Sequence, residues 1–513
     1  MTVPDERAAR YRADRLWDAR ALADGVEAAA LMRPDATALV DNHRSCTSSE
    51  LARLVASAVG TLSSHGIRTG DAVVLVTGNT VEAVVAYHAV LRAGATAVLL
   101  DRRCGPSDLR SALEAVPDAA LVIVPASERE RLTEELDSNV LELETLGRGG
   151  GAADANLPEP GRGAPAVVLF TSGTTSRPKG VIHSLNTLTA GAANFARITG
   201  ADETLVAFLV SPVTSIAGVM QMHLVADAHA TLVLEDDFQP DASLDRVNTL
   251  GATLLGGAPV IAERLLQAAD RRDDRRIALR TMALGGAMLP RPLLELATDA
   301  FGIEIARVYG SSEAPNFSGS IPTDAREQRL ADDGALMPGS EVRVGSAEHA
   351  QEGMLRGPGV FLGYVDPRDN AAAFEDGWFR TGDLVEEHDG RLTVLGRLKE
   401  VVNRNGLKIS LHEVDGALAN FPGARECASF AVSDPTTGER LAVAVVPAGD
   451  TAPTLDDVLA HLVAGGLARR KLPEELVVWP EPLPRTASGK VVRTRLVAEA
   501  AGKPSELAGR LRG

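Results

Sequence analysis

Cysteine is nearly missing from this chain: Cys46, Cys104 and Cys427 are the three in 513 residues, and they lie far apart in sequence. That spacing excludes a disulfide framework and a cysteine-based zinc site, and it suits a reducing compartment such as the cytosol. Aromatic residues are scarce too, at 4%. Positive charge is in deficit, since 52 Lys and Arg face 69 Asp and Glu, for a formal net charge of −17. A balance of that sign argues against nucleic acid or an anionic membrane surface as the main partner. No run of 18 apolar residues occurs; the longest candidate, 83–100, carries His88 and Arg92 and reads as a helix followed by a strand. The N-terminal MTVPDERAARYRADR is charged and lacks the apolar centre of a secretory signal.

What is present is ordinary for a globular protein, 45% hydrophobic and 24% charged, in a chain too long for one compact core. Thr47-Ser48-Ser49-Glu50 opens a capped amphipathic helix that Gly66 stops. Apolar runs at 71–76, 96–100 and 121–124 read as strands, with a helix over 80–93 between the first two. Strands alternating with helices predict an α/β fold with parallel pairing. This part shows no cluster of reactive side chains and reads as scaffold. The Gly- and Pro-rich stretch 147–165 reads as a loop within the large domain.

The chemistry begins at 170–180, FTSGTTSRPKG, which directly follows the apolar run 166–170. Hydroxyls, glycine-permitted backbone N–H groups and one ammonium make a nest suited to a polyphosphate. It is not a Walker loop, which needs Gly-Lys followed by Ser or Thr; here the order is Pro178-Lys179-Gly180. Residues 181–188 are read as opening a helix that runs towards Ile198. Further on stand Leu284-Gly285-Gly286-Ala287, Tyr309-Gly310-Ser311-Ser312-Glu313, GMLRGPGVFLGY over 353–364, RTGDL over 380–384, LGRLKE over 395–400 and PRTASGK over 484–490.

In this order, over roughly 47–495, these stretches resemble the adenylate-forming superfamily of acyl-CoA synthetases, nonribosomal adenylation domains and luciferases. The resemblance implies an α/β fold: a large N-terminal AMP-binding domain of layered α/β subdomains over 1–396, then a small mobile α+β domain over 397–513 with its hinge near Lys399. It implies that Thr171, Ser172, Gly173, Thr174, Thr175 and Lys179 hold the phosphates of ATP, with Gly286, Ala287, Tyr309, Gly310 and Ser311 around the adenine. Ser312 would donate to the α-phosphate, Glu313 with Thr171 would hold Mg²⁺, and Asp383 and Arg397 would take the ribose. Lys490 occupies the catalytic lysine position, and Gly406 and Lys408 lie on the loop that would meet CoA. His412-Glu413 reads instead as the start of a surface helix, and the tail after Leu496 as frayed.

The implied substrate pocket is lined by His183, Thr214, Ser215, Gly218, Ala258, Gly285, Gly286, Ala314 and Pro315. His183 reads either as a ligand contact or as a structural group beside the phosphate loop. Ser215 stands where many acyl-CoA-forming relatives carry His or an aromatic. Between Ser211 and Asp227 no acidic residue occurs, so a substrate ammonium would be buried without a carboxylate, which is costly and argues against an α-amino acid. The expected reaction is activation of a small aryl, alicyclic or short- to medium-chain acid as an acyl-adenylate, then thioester formation with CoA. Alternatives are loading of an acyl carrier protein, transfer to an amine, or activation of a non-carboxylate oxyacid such as nitrite. The chain is expected to work in the cytoplasm as a monomer or homodimer, with no nucleic acid and no membrane span.

Overall fold

A computed structural model describes residues 5–17, 22–133, 139–147, 161–171, 178–286, 289, 291–405, 407–419, 421–449, 451–485 and 491–509. The loop read over 147–165 falls largely outside them. The chain divides into two compact units: Met1–Gly286, Glu295–Glu341 and Leu355–Phe379 form the first, and Ala287–Leu294, Val342–Met354 and Arg380–Gly513 the second.

In the first unit, strands Ala72–Thr77, Thr96–Asp101, Ala119–Val124 and Pro165–Thr171 pair in parallel, as their apolar runs predict. Their residues interdigitate around Val74, Val98, Val122 and Val168, each almost wholly removed from solvent. Helix Ser48–Ser64 begins with the capping box foreseen in the sequence, Thr47 accepting from the Glu50 N–H and Glu50 accepting in return. A second parallel set runs Glu304–Tyr309, Thr281–Gly285, Leu254–Gly257, Val206–Leu209, Thr231–Leu234 and Thr37–Val40 from neighbour to neighbour.

One segment of this unit departs from expectation. Residues 181–184 do not open a helix; Lys179–Ser184 is a strand, antiparallel to Pro165–Thr171 on one side and to Gly363–Tyr364 on the other. Helix Leu185–Thr199 starts after it, capped by Ser184. Val181 and Ile182 are β-branched and sit between two partners, which outweighs the helical pattern downstream. Gly180 belongs to this strand: a Cβ there would stand 2.7 Å from Val365 Cγ2, so the missing side chain admits that neighbour.

In the second unit, hairpins Val401–Arg404/Leu407–Ser410 and Ala424–Asp434/Gly438–Pro447 join Glu475–Val478 in one sheet. Helices Leu411–Leu418 and Leu455–Ala464 bury Val414, Leu418, Val458 and Leu462 with Val443 and Val445. Helix Arg493–Ala500 brings Leu496 to a second cluster with Phe430 and Trp479. Between Leu496 and Gly509 the tail does not fray: Ser505–Leu507 pairs antiparallel with Glu475–Val478, and the Glu506 carboxylate accepts from the Leu455 N–H at 2.7 Å. The sheet edge supplies the backbone partners that the tail's small residues cannot supply for themselves. Among the described residues, no helix is long and apolar enough to cross a membrane.

Candidate active site

Three neighbouring parallel strands of the first unit end together, at Gly257, Gly285 and Tyr309, with Gly257 opposite Leu284 and Gly285 opposite Val308. The carboxyl ends of parallel strands are where α/β sheets present ligand sites. Gly285 is required by the sheet itself, since a Cβ would lie 2.2 Å from the Val308 carbonyl oxygen. Gly286 takes a left-handed φ of 76°, with nothing within 4 Å of the Cβ it lacks. The first glycine therefore serves strand packing and the second an open turn.

Past Tyr309 the chain turns tightly. A Cβ on Gly310 would meet the Ala314 carbonyl oxygen and the Asn316 nitrogen at 2.7 Å each. The Ser311 hydroxyl accepts from the Glu313 N–H at 3.2 Å, and the Glu313 carbonyl accepts from the Phe361 N–H at 2.8 Å. The turn thus fixes the Glu313 backbone, while its side chain accepts a hydrogen bond from the Tyr364 hydroxyl at 2.7 Å. Burial first, then the Glu313 charge, raises the Tyr364 phenol, so it stays a neutral donor. Lys179 lies close by: its ammonium is 4.8 Å from the centroid of the Tyr364 ring and 3.3 Å from the Asp369 carboxylate. Among the described residues no group of three or more His, Cys, Asp and Glu could hold a metal by itself. A single carboxylate such as Glu313 fits Mg²⁺, which keeps waters and phosphate oxygens as its other ligands.

His183 is wholly buried, and both ring nitrogens face protein groups: Nδ1 lies 3.0 Å from the Thr187 hydroxyl and Nε2 lies 2.7 Å from the Ser312 carbonyl oxygen. A carbonyl only accepts, so Nε2 carries the proton. Burial pushes its pKa down to about 4, so the ring is neutral at pH 7. Of the two readings open for His183, the geometry takes the structural one, an anchor for the Ser312 carbonyl.

The Ser211–Gly218 segment wraps the N-terminus of helix Ile216–Ala228. The Ser215 hydroxyl donates to the Pro212 carbonyl at 2.7 Å and accepts from the Gly218 N–H at 3.2 Å, so it is a helix cap. Thr214 and Ala258 are half-buried, whereas Ala314 and Pro315 are buried, with Pro315 Cγ 3.1 Å from where a Cβ on Gly191 would stand. Sequence reasoning missed what holds this segment. The Asn79 carboxamide is buried, accepts from the Val213 N–H at 2.8 Å and donates to the Ser211 and Glu235 carbonyls at 3.1 and 2.9 Å. Nothing in its sequence neighbourhood signals that role, because its partners lie more than a hundred residues away.

In the second unit, Asp383 and Arg397 face each other across the hairpin Trp378–His388/Arg391–Arg397, with Nε and carboxylate 3.0 Å apart. Lys399 lies exposed in the short turn Leu398–Glu400, which Arg397 separates from Gly396 at φ 151°. The Ser410 hydroxyl donates to the Leu395 carbonyl at 3.0 Å and pins the chain just before that turn. Lys408 is a strand residue opposite Asn403. His412 and Glu413 open helix Leu411–Leu418, and Glu413 pairs with Lys471. Ser172, Gly173, Thr174, Thr175, Ala287, Gly406 and Lys490, with the Thr171 and Lys408 side chains, lie outside the described residues.

Comparison with known proteins gives consistent results. The family model described as AMP-binding enzyme matches residues 26–365, and that of the AMP-binding enzyme C-terminal domain matches 413–490. Oxalate–CoA ligase of Arabidopsis thaliana is 31% identical over 525 residues, covering 94% of this chain and 99% of its own. A 2-hydroxy-7-methoxy-5-methyl-1-naphthoate–CoA ligase of Streptomyces carzinostaticus is 30% identical over 547 residues, covering 98% and 97%. Among solved structures, o-succinylbenzoate CoA synthetase of Bacillus subtilis, in complex with its acyl-adenylate intermediate, superposes with TM-score 0.81 at 25% identity, covering 92% of this chain and 97% of that one.

Proposed function

The chain belongs to the AMP-binding enzyme family, and we propose that it activates a small carboxylic acid with ATP and transfers the acyl group to coenzyme A. The acid is aryl, alicyclic or short- to medium-chain. The observation that carries this reading is the joining of Glu313, Lys179 and the Ser312 backbone beside the strand ends that close at Gly285 and Tyr309.

In the first step a carboxylate oxygen of the acid attacks the α-phosphorus of ATP, and pyrophosphate leaves with the bonding pair. Such chemistry is mostly positioning and charge stabilisation. The loop of Thr171, Ser172, Gly173, Thr174, Thr175 and Lys179 holds the β- and γ-phosphates, and Ser312 donates to the α-phosphate. Tyr309, with Gly286, Ala287, Gly310 and Ser311, takes the adenine; Asp383 and Arg397 take the ribose. Glu313 with Thr171 would hold Mg²⁺, which would supply charge neutralisation for the phosphates. Lys490 bridges the incoming carboxylate and the α-phosphate as negative charge builds. In the second step the CoA thiolate attacks the acyl carbon and AMP leaves. Residues 397–513 turn about Lys399 between the steps, replacing Lys490 by the loop of Gly406 and Lys408. The exposed Lys399 turn supports that hinge.

The absence of an acidic residue between Ser211 and Asp227 supports an acid without an α-ammonium. The CoA ligases among the relatives support CoA as acceptor over a carrier protein, an amine or oxyacid chemistry. The enzyme works in the cytosol, as monomer or homodimer. Acid-dependent exchange of labelled pyrophosphate into ATP tests the adenylation step. Exchange requiring both the acid and Mg²⁺ is the expected result; ADP as the nucleotide product, or exchange indifferent to the acid, refutes it.

A further inference from the structure

Aromatics make up 4% of this chain, and it holds only four tyrosines, yet Tyr364 stands in a tight aromatic group. Phe361 meets Tyr364 edge to face at 4.9 Å, stacks on Phe374 at 5.2 Å and meets Phe379 at 5.1 Å. The Tyr364 backbone is clamped from both sides by one carboxamide: Asn370 Oδ1 accepts from its N–H at 2.7 Å, and Asn370 Nδ2 donates to its carbonyl at 3.2 Å. The segment around it is tied to both halves of the phosphate machinery. Leu362 and Val365 donate to the Ile182 and Gly180 carbonyls, and Phe361 donates to the Glu313 carbonyl, each at 2.8 Å.

From this frame the side chain serves two groups at once. Its hydroxyl donates to Glu313 Oε1, and its ring face lies under the Lys179 ammonium. We propose that Tyr364 is a positioning residue that orients the Glu313 carboxylate for Mg²⁺ and stations the Lys179 ammonium for the nucleotide phosphates. A carboxylate free to rotate offers either oxygen; with Oε1 held by a phenol, Oε2 is the oxygen left for a cation. A neutral donor suits this task, because a cationic one would compete with the metal for the same charge. On the other side, the ring's negative face attracts an ammonium without neutralising it. Lys179 is also paired there with Asp369 at 3.3 Å. The inference rests on Glu313 and Lys179 acting on metal and phosphate as proposed above.

The hydroxyl and the ring separate by substitution. Tyr364→Phe keeps the packing on Phe361 and the ring under Lys179 and removes only the donor. Tyr364→Leu removes both. The readout is Mn²⁺, as a spectroscopic probe for Mg²⁺, titrated by electron paramagnetic resonance into enzyme holding a non-hydrolysable ATP analogue. Thermal melting and metal-free binding of the analogue are measured beside it. Tyr364→Phe is expected to weaken Mn²⁺ binding about tenfold, with metal-free binding of the analogue unchanged. Tyr364→Leu is expected to weaken the metal-free binding as well. Wild-type Mn²⁺ affinity in Tyr364→Phe overturns the proposal, and so does a metal-free affinity that is the same in the Phe and Leu variants. Glu313→Gln separates the two layers of the argument: if it binds Mn²⁺ as tightly as wild type, the assignment of Glu313 itself falls and takes the proposal with it. If Tyr364→Phe does not fold, Asn370→Ser, which frees the Tyr364 backbone and leaves the phenol in place, carries the test. Weaker Mn²⁺ binding is expected there, and unchanged binding overturns the proposal.

Discussion

Three histidines of the first unit are buried without charge. Burial pushes His88 and His183 down to about 4 and His223 well below its ordinary value, the last also through its two imidazole neighbours. His223 Nε2 meets the Tyr87 hydroxyl at 2.7 Å, while Nδ1 of His88 and of His223 finds no partner among the described residues. At His88 and His183 the unfolded chain binds its proton near pH 6.5 and the folded one only near 4, so their contribution to stability is complete above the first value and falls as pH drops between the two; His223 acts in the same direction. Each such group contributes a slope of at most about 1.4 kcal/mol per pH unit. Urea unfolding between pH 7 and 4.5 is predicted to show this loss, with a smaller slope in His88→Leu; equal slopes would exclude His88 as a contributor. Ser215 offers a second test at this scale. Its hydroxyl is spent on capping, so Ser215→Ala is predicted to cost about 1 kcal/mol of stability while the KM for ATP stays unchanged. An unaltered urea midpoint would contradict the cap. Lys490→Ala is predicted to slow adenylation about 10²–10³-fold with ATP-analogue affinity little changed; near-wild-type exchange would remove its proposed role.

Among the elements, Gly218 beside the implied substrate pocket carries a sharp constraint. A Cβ there would stand 2.1 Å from the Pro212 carbonyl oxygen and 2.6 Å from Val213 Cα, both backbone atoms that cannot swing aside. Gly218→Ala is therefore predicted to push the start of helix Ile216–Ala228 off the Ser211–Val213 segment, costing about 1–3 kcal/mol and raising the KM for the acid with that for ATP little affected. Wild-type stability would show that the segment yields freely. The same locality explains what the sequence disclosed. Helix Ser48–Ser64, the parallel strands and the motif at Tyr309–Glu313 are each written in consecutive residues: a cap, an apolar run, a turn. The strand Lys179–Ser184 and the tail strand Ser505–Leu507 owe their existence to partners distant in sequence, so local pattern gave a helix for one and fraying for the other. Asn79 and Tyr364 were silent for the same reason, since their hydrogen-bond partners lie 132 and 51 residues away. The glycines at 180 and 285 are legible in part: the residue type signals a close approach, and Val365 makes one at the first and the Val308 carbonyl at the second.

At the scale of the whole molecule, a chain of net charge −17 handles a polyanion, so its phosphate site depends on a few local donors rather than on its overall field. The two family models cover 26–365 and 413–490, most of the chain's length. The central claim is that both half-reactions belong to this chain: acid to adenylate, adenylate to thioester. Mass spectrometry of one mixture reads both. Enzyme, Mg-ATP and CoA are combined with a panel of aryl, alicyclic, short-chain and medium-chain acids, and each well is scanned for AMP and for the mass of the acyl-CoA. AMP and acyl-CoA in equal amounts, in wells sharing one class of acid, are the expected result. AMP or a trapped adenylate with CoA left untouched in every well would contradict it.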